Sequence, residues 1–216
     1  MHEQNLITQK VLPTFFMTLL VSFLGMVIGM LYVPAALASG IGVIIIVILI
    51  ITAIIKRKSA GPFGFRIPLP FLFIFTFLMG LSIYPTVGYY LSTVGANVVL
   101  TAFGVTAFVF GSLFIYAYTT KRDFSFLGGM LFIGLISLIV LSIIGVFFIK
   151  SETFHLAMAW VGVLLFSGYV LYDVSMMKNH LVDEKDVPAA VLNLYIDFIN
   201  LFLDILRIIA SFVSKD

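Results

Sequence analysis

The chain has 216 residues, 62% of them hydrophobic and only 10% charged, with a formal net charge of +2 at pH 7. A soluble domain carries about 25% charged residues, so this balance describes an integral membrane protein, and with no basic patch interleaved with aromatics it excludes a nucleic-acid partner. The absence of Cys excludes disulfides, thiolate metal sites and cysteine nucleophiles, and three scattered histidines (His2, His155, His180) argue against a transition-metal centre.

Apolar windows of about 20 residues predict seven transmembrane helices. They fall at 12–33, 36–55, 70–90, 97–118, 126–149, 155–176 and 188–213. No soluble domain fits in the remainder, so the expectation is one seven-helix transmembrane domain over 1–216. Just after the first span, Ala36-Leu37-Ala38 resembles a signal-peptidase site. The apolar run over 11–33 is longer than the roughly 7–15 residues of a cleaved signal, so the span reads as a retained helix. Gly25 and Gly29 within it form a small-xxx-small pair, which either permits close helix contact or is coincidence in a glycine-containing helix.

The second span closes on Lys56-Arg57-Lys58. Its ordinary meaning is a topology anchor, although its depth matches that of Asp173, which one of these cations can bridge. The loop that follows, KRKSAGPFGFRIPL over 56–69, is the longest, and its Gly and Pro suit a turn-rich connection. With the N-terminus inside, the inner segments hold nine Lys and Arg (Lys10, Lys56, Arg57, Lys58, Arg66, Lys121, Arg122, Lys178, Lys185), and the outer ones hold Lys150 and Lys215. That bias predicts a cytoplasmic N-terminus and an outside C-terminus.

The sixth span ends in LLFSGYVLYDVSMMK, with Asp173 near its cytoplasmic end. The seventh reads LNLYIDFINLFLDILRII, and its polar residues are Asn193, Asp197, Asn200, Asp204 and Arg207. Spaced four, three, four and three apart, they share an arc of roughly 80° on one helix. An ionisable group in hydrocarbon costs a few kcal/mol or more, so such a stripe faces a partner, a bundle interior or water. This helix therefore belongs at the centre of a bundle.

Asp197 lies roughly 14 Å into the seventh span, and a short loop makes the last two spans antiparallel neighbours in sequence. Asp173 and Asp197 are thus expected to pair; the alternative is that Asp173 is a solvated residue at a helix end. Two close carboxylates cannot both ionise cheaply, so a pair shares a proton and titrates as a unit. Ionised, it offers oxygen ligands to a hard cation such as Ca²⁺. Asp204 and Arg207, at i and i+3, read first as a structural ion pair. Asn193 and Asn200 either bond neighbouring helices or line a water path.

These residues carry a resemblance. LYDV at 171–174, LNLYIDFINLFLDILR at 192–207, AFGVTAFVF at 102–110 and DFSFLGG at 123–129 resemble the transmembrane Bax inhibitor motif family, above all its bacterial YetJ-like calcium-leak members. The resemblance covers almost the whole chain. It implies an all-α fold with the last helix central and six around it, and a pH-sensitive Ca²⁺ leak, with suppression of cell death in eukaryotic relatives. By motif position the family's carboxylate pair falls on Asp173 and Asp197, and its basic latch near Lys56, with Arg57 as the next candidate. One departure stands out: relatives often carry an acid within the second span, whereas 36–55 has none. Asp204 is an acid that not all relatives share.

Two other functions compete. Intramembrane aspartyl proteases also place an Asp after Tyr, as in Tyr172-Asp173, but Asp197 follows LYI rather than Gly-x-Gly, and no Pro-Ala-Leu follows. The chain is therefore expected not to be an enzyme and to need no cofactor. A proton-coupled cation exchanger or other secondary transporter is the stronger alternative. The expectation is a pH-regulated Ca²⁺ leak channel in the cell membrane, cytoplasmic if the host is bacterial. Its partners would be the lipid bilayer, calcium ions and protons; protein partners are not legible in the sequence.

Overall fold

A computed structural model describes residues 6–56, 63, 66–148, 151–181 and 183–213, with the backbone alone described for 46–56 and 146–148. Among the described residues, seven α-helices run in order: α1 Leu12–Tyr32, α2 Ala35–Lys56, α3 Leu69–Thr93, α4 Ala96–Thr119, α5 Gly128–Phe148, α6 Glu152–His180 and α7 Val187–Val213. A π-helical turn, Ile7–Val11, leads into α1, and 3₁₀ turns at Ser125–Leu127 and Glu184–Asp186 precede α5 and α7. The described residues contain no strand. Each predicted window falls on one of these helices.

Local chemistry sets the boundaries. Pro13 stands in the first turn of α1, where its missing N–H is no loss. The same helix stops at Val33, whose extended backbone (φ −114°, ψ 125°) is what the following Pro34 requires. Gly95, with φ +89°, makes the turn from α3 to α4, a conformation that side chains other than glycine's resist. Five described helical stretches are long and apolar enough to cross a membrane: Ile7–Tyr32, Leu69–Thr93, Ala96–Thr119, Ser125–Gly145 and Glu152–His180. The chain is an all-helical, multi-pass membrane protein. The described side chains of α2 form a shorter apolar stretch, Ala35–Ile45, and α7 is the helix that bears the polar stripe.

The chain divides into two compact units. The first contains Met1–Tyr89 and Met177–Tyr195. Within it α1 and α3 meet at two glycines. A Cβ on Gly25 would collide with the Phe77 carbonyl, and one on Gly80 with the Ser22 carbonyl, whose carbon would lie 2.6 Å away. Gly29 faces the Tyr84 ring, and the Tyr84 hydroxyl donates to the Val33 carbonyl. Gly25 and Gly29 are thus contact positions, as the small-xxx-small reading holds. Beside this crossing, the fully buried Tyr195 of α7 hydrogen-bonds Ser22 Oγ at 2.6 Å and donates to the Thr76 carbonyl at 3.4 Å.

The second unit contains Tyr90–Met176 and Ile196–Asp216. Here α5 and α6 approach through glycines: Gly128 under the Tyr172 ring, Gly134 under Leu165 and Gly168 under Leu131. Phe103 and Phe110 of α4 set their ring edges against Phe198 of α7, at centroid distances of 5.8 and 5.3 Å. The outward faces remain apolar: Leu100, Phe108, Ile133 and Leu164 are each at least two-thirds exposed, as lipid-facing side chains would be.

Candidate functional site

Two intramembrane carboxylates organise the second unit. Asp173 is 7% exposed and Asp197 3%. α6 continues to His180, so Asp173 lies seven residues inside the helix and is buried. The helix runs about two turns past Asp173, and about one turn past the hydrophobic stretch that marked its span, so Asp173 is not an end residue. One turn before Asp173 on the same face of α6, the half-buried Tyr169 interacts electrostatically with both Asp197 and Asp173. Tyr169 and Tyr172 pack edge-to-face at 6.5 Å. Ser175, 1% exposed, accepts a hydrogen bond from the Phe124 backbone N–H at 3.1 Å, fixing this end of α6 to the turn before α5. The arrangement has the ingredients of a proton- and cation-responsive site: two acids in low dielectric, with a phenol beside them.

Residues further along α7 take different roles. Asn200 Nδ2 donates to the Ile196 carbonyl of its own helix at 2.8 Å. Asn193 is half-buried in the first unit. Asp204 interacts electrostatically with Arg207, three residues further along the helix. The Arg207 side chain is exposed, while the Asp204 carboxylate lies against Gly162 of α6. The sequence-predicted latch residues fall outside the described residues: Arg57 entirely, and Lys56 in its side chain.

Charge at the surface of the first unit is arranged around the turn between α6 and α7. Arg66 Nε donates to Asp186 Oδ1 and its Nη2 to Asp183 Oδ2, both at 2.9 Å. Lys10 lies 4.0 Å from Glu184 on the same turn. These two carboxylates raise the Arg66 pKa further above its ordinary value, Asp186 most. Asp183 is held below the ordinary carboxylate range, first by the Lys185 backbone N–H, which it caps at 3.0 Å, and then by Arg66. From the sequence Arg66 counts only as an inner-face cation. The signal for its role is two acids bracketing a short turn, and that signal has no preferred partner until the chain is folded.

A family model described as "Inhibitor of apoptosis-promoting Bax1" matches residues 4–214. An uncharacterized protein of Helicobacter pylori J99 is 39% identical over 145 residues, which is 67% of this chain and 62% of that protein. Inner membrane protein YbhL of Escherichia coli K12 is 35% identical over 168 residues, 74% of this chain and 68% of that protein. Bax inhibitor 1 of Schizosaccharomyces pombe is 38% identical over 147 residues, 68% of this chain and 53% of that protein. The matched region spans less than two thirds of the Helicobacter relative's own length.

Proposed function

This chain belongs to the family of inhibitors of apoptosis-promoting Bax1, and from that premise we propose that it is a pH-sensitive calcium leak channel of the cell membrane. One observation carries the reading: Asp173 and Asp197, on successive long helices, are both buried and both within electrostatic reach of Tyr169. Buried acids are expensive unless they share a proton, meet a cation or reach water. Raising the pH removes protons and leaves oxygen ligands for a hard cation; lowering it neutralises them. Two further parts of the proposal are a seven-span bundle with α7 at its centre and a cytoplasmic N-terminus. The first is supported by the burial of α7, where only Arg207, Phe212 and Val213 are exposed among 187–213. The second is supported by the nine-to-two bias of Lys and Arg. The name of the Escherichia coli relative favours the inner membrane for a bacterial host. The basic latch remains assigned to Lys56 and Arg57.

The test is Ca²⁺ entry into liposomes holding the purified protein, across a pH series with and without an opposing proton gradient. Flux that changes with pH and needs no opposing gradient is the expected result. Strict dependence on counter-movement of protons would make the protein an exchanger, and no flux at any pH would overturn the transport reading.

A further inference from the structure

Seven residues beyond Asp197, two helical turns or about 10.5 Å along α7, stands a second acid whose seat is unusual. Asp204 presses its carboxylate onto the bare backbone of Gly162, a buried residue of α6. A Cβ at position 162 would collide with Oδ2 and stand 2.7 Å from Cγ and 3.2 Å from Oδ1. No other glycine with a described Cβ neighbourhood faces a carboxylate; the rest meet rings, aliphatic side chains, a serine or backbone, or open space. The missing side chain at 162 is the room that Asp204 occupies. On the same stripe, Arg207 offers a positive charge one turn further on, with its own side chain exposed.

We infer that Asp204 is a second carboxylate station for the transported divalent cation, and that Gly162 is the positioning residue that holds it on the α7 stripe. The inference rests on the proposed calcium-leak reading, in which Asp197 on the same stripe is an oxygen ligand for the ion. A purely structural salt bridge does not need such a seat, because Arg207 is exposed and an acid at i−3 reaches it along the helix surface. Held against the α6 backbone, the carboxylate is placed between two helices instead, with the exposed Arg207 within electrostatic reach. The station supplies an acid to a chain whose second span lacks one.

The experiment is a double-mutant cycle with Gly162→Ala, Asp204→Ala and the combination, plus Asp204→Asn, which removes the charge and keeps the volume. Each is measured for Ca²⁺ flux per folded protein and for its thermal unfolding midpoint. Expected is a loss of roughly tenfold in flux for Gly162→Ala, Asp204→Ala and Asp204→Asn alike, with Gly162→Ala adding nothing once position 204 is Ala. In the unfolding arm, Gly162→Ala lowers the midpoint by about 5 °C in the parent and by much less in the Asp204→Ala background. If Gly162→Ala does not fold but the double variant does, the seat is established by rescue; if neither folds, or the cost is equal in both backgrounds, the seat is refuted. Wild-type flux from folded Asp204→Asn makes the acid structural and overturns the station. A parent without flux sinks the channel reading and with it the station, while the unfolding arm still decides the seat.

Discussion

At the scale of single residues, the feature on which the proposed function turns is the burial of two acids, Asp173 and Asp197. If Asp173 and Asp197 titrate together, removing one carboxylate leaves the other to titrate alone, without its repulsive neighbour. Asp197→Asn is therefore expected to abolish the pH dependence of Ca²⁺ flux near neutrality while the protein still folds, since Asn preserves volume. A variant that keeps the parent profile would move the sensor elsewhere, with His155 and His180 next in line. Both acids were legible in the sequence, because a charge inside an apolar window is conspicuous whatever surrounds it. Tyr169 was not. A tyrosine in a membrane helix is common, and only the fold shows that it stands beside both carboxylates. Gly162 was equally silent, since a glycine announces neither what it leaves room for nor which helix supplies it.

At the scale of helices, the periodic content of the sequence translated directly: seven apolar windows, seven helices. Their ends were less legible, most of all at α6, where Met177, Lys178, Asn179 and His180 extend the helix past the hydrophobic stretch. The polar stripe of α7 suggested one wet face and a greasy remainder, and the remainder turns out to be packed rather than lipid-facing: Phe198 is 3% exposed among the rings of Phe103 and Phe110. Labelling experiments with single cysteines should accordingly take Phe108 and Leu164 as lipid-facing references, not Phe198. The crossing of α1 and α3 yields a prediction of its own. At Gly80 the obstacle to a Cβ is the Ser22 backbone, which no rotamer change can relieve, whereas Gly88 on the same helix has open space. Gly80→Ala should destabilise by roughly 1–3 kcal/mol or more from overpacking. Gly88→Ala should be neutral or slightly stabilising, since alanine is the better helix former. Thermal unfolding of the two variants side by side checks this, and equal midpoints would refute the close crossing.

At the scale of the whole molecule, the surface charges tie loops that are distant in sequence. Arg66 and the turn at 183–186 are joined by two hydrogen-bonded ion pairs. Because folding lowers the Asp183 pKa, its contribution is complete above the ordinary carboxylate range and is lost as pH falls through the lowered value. Both partners are exposed, so the contribution is small and screened by salt. Arg66→Gln should lower the unfolding midpoint measurably at low ionic strength and neutral pH, and the difference from the parent should vanish at pH 2 or in about 1 M salt. A difference that persists at pH 2 would mean Arg66 acts through something other than its acids. The proposed latch calls for a separate measurement. Protonating Asp173 would release Lys56 or Arg57, so acid favours opening on that contact, while loss of carboxylate ligands opposes it. Lys56→Ala with Arg57→Ala should leak Ca²⁺ at pH 8, where the latch would hold the parent closed; a folded double variant as tight as the parent leaves these residues as topology anchors. The burial of α7 carries a consequence for biogenesis. It is translated after the six helices that precede it, and its acids and arginine make it a poor candidate for independent entry into lipid. Its admission to the bilayer then depends on partners already there, among them Ser22 and Thr76 awaiting Tyr195, so a ribosome halted before Val187 would leave behind a nascent chain with an open seam for quality control to recognise.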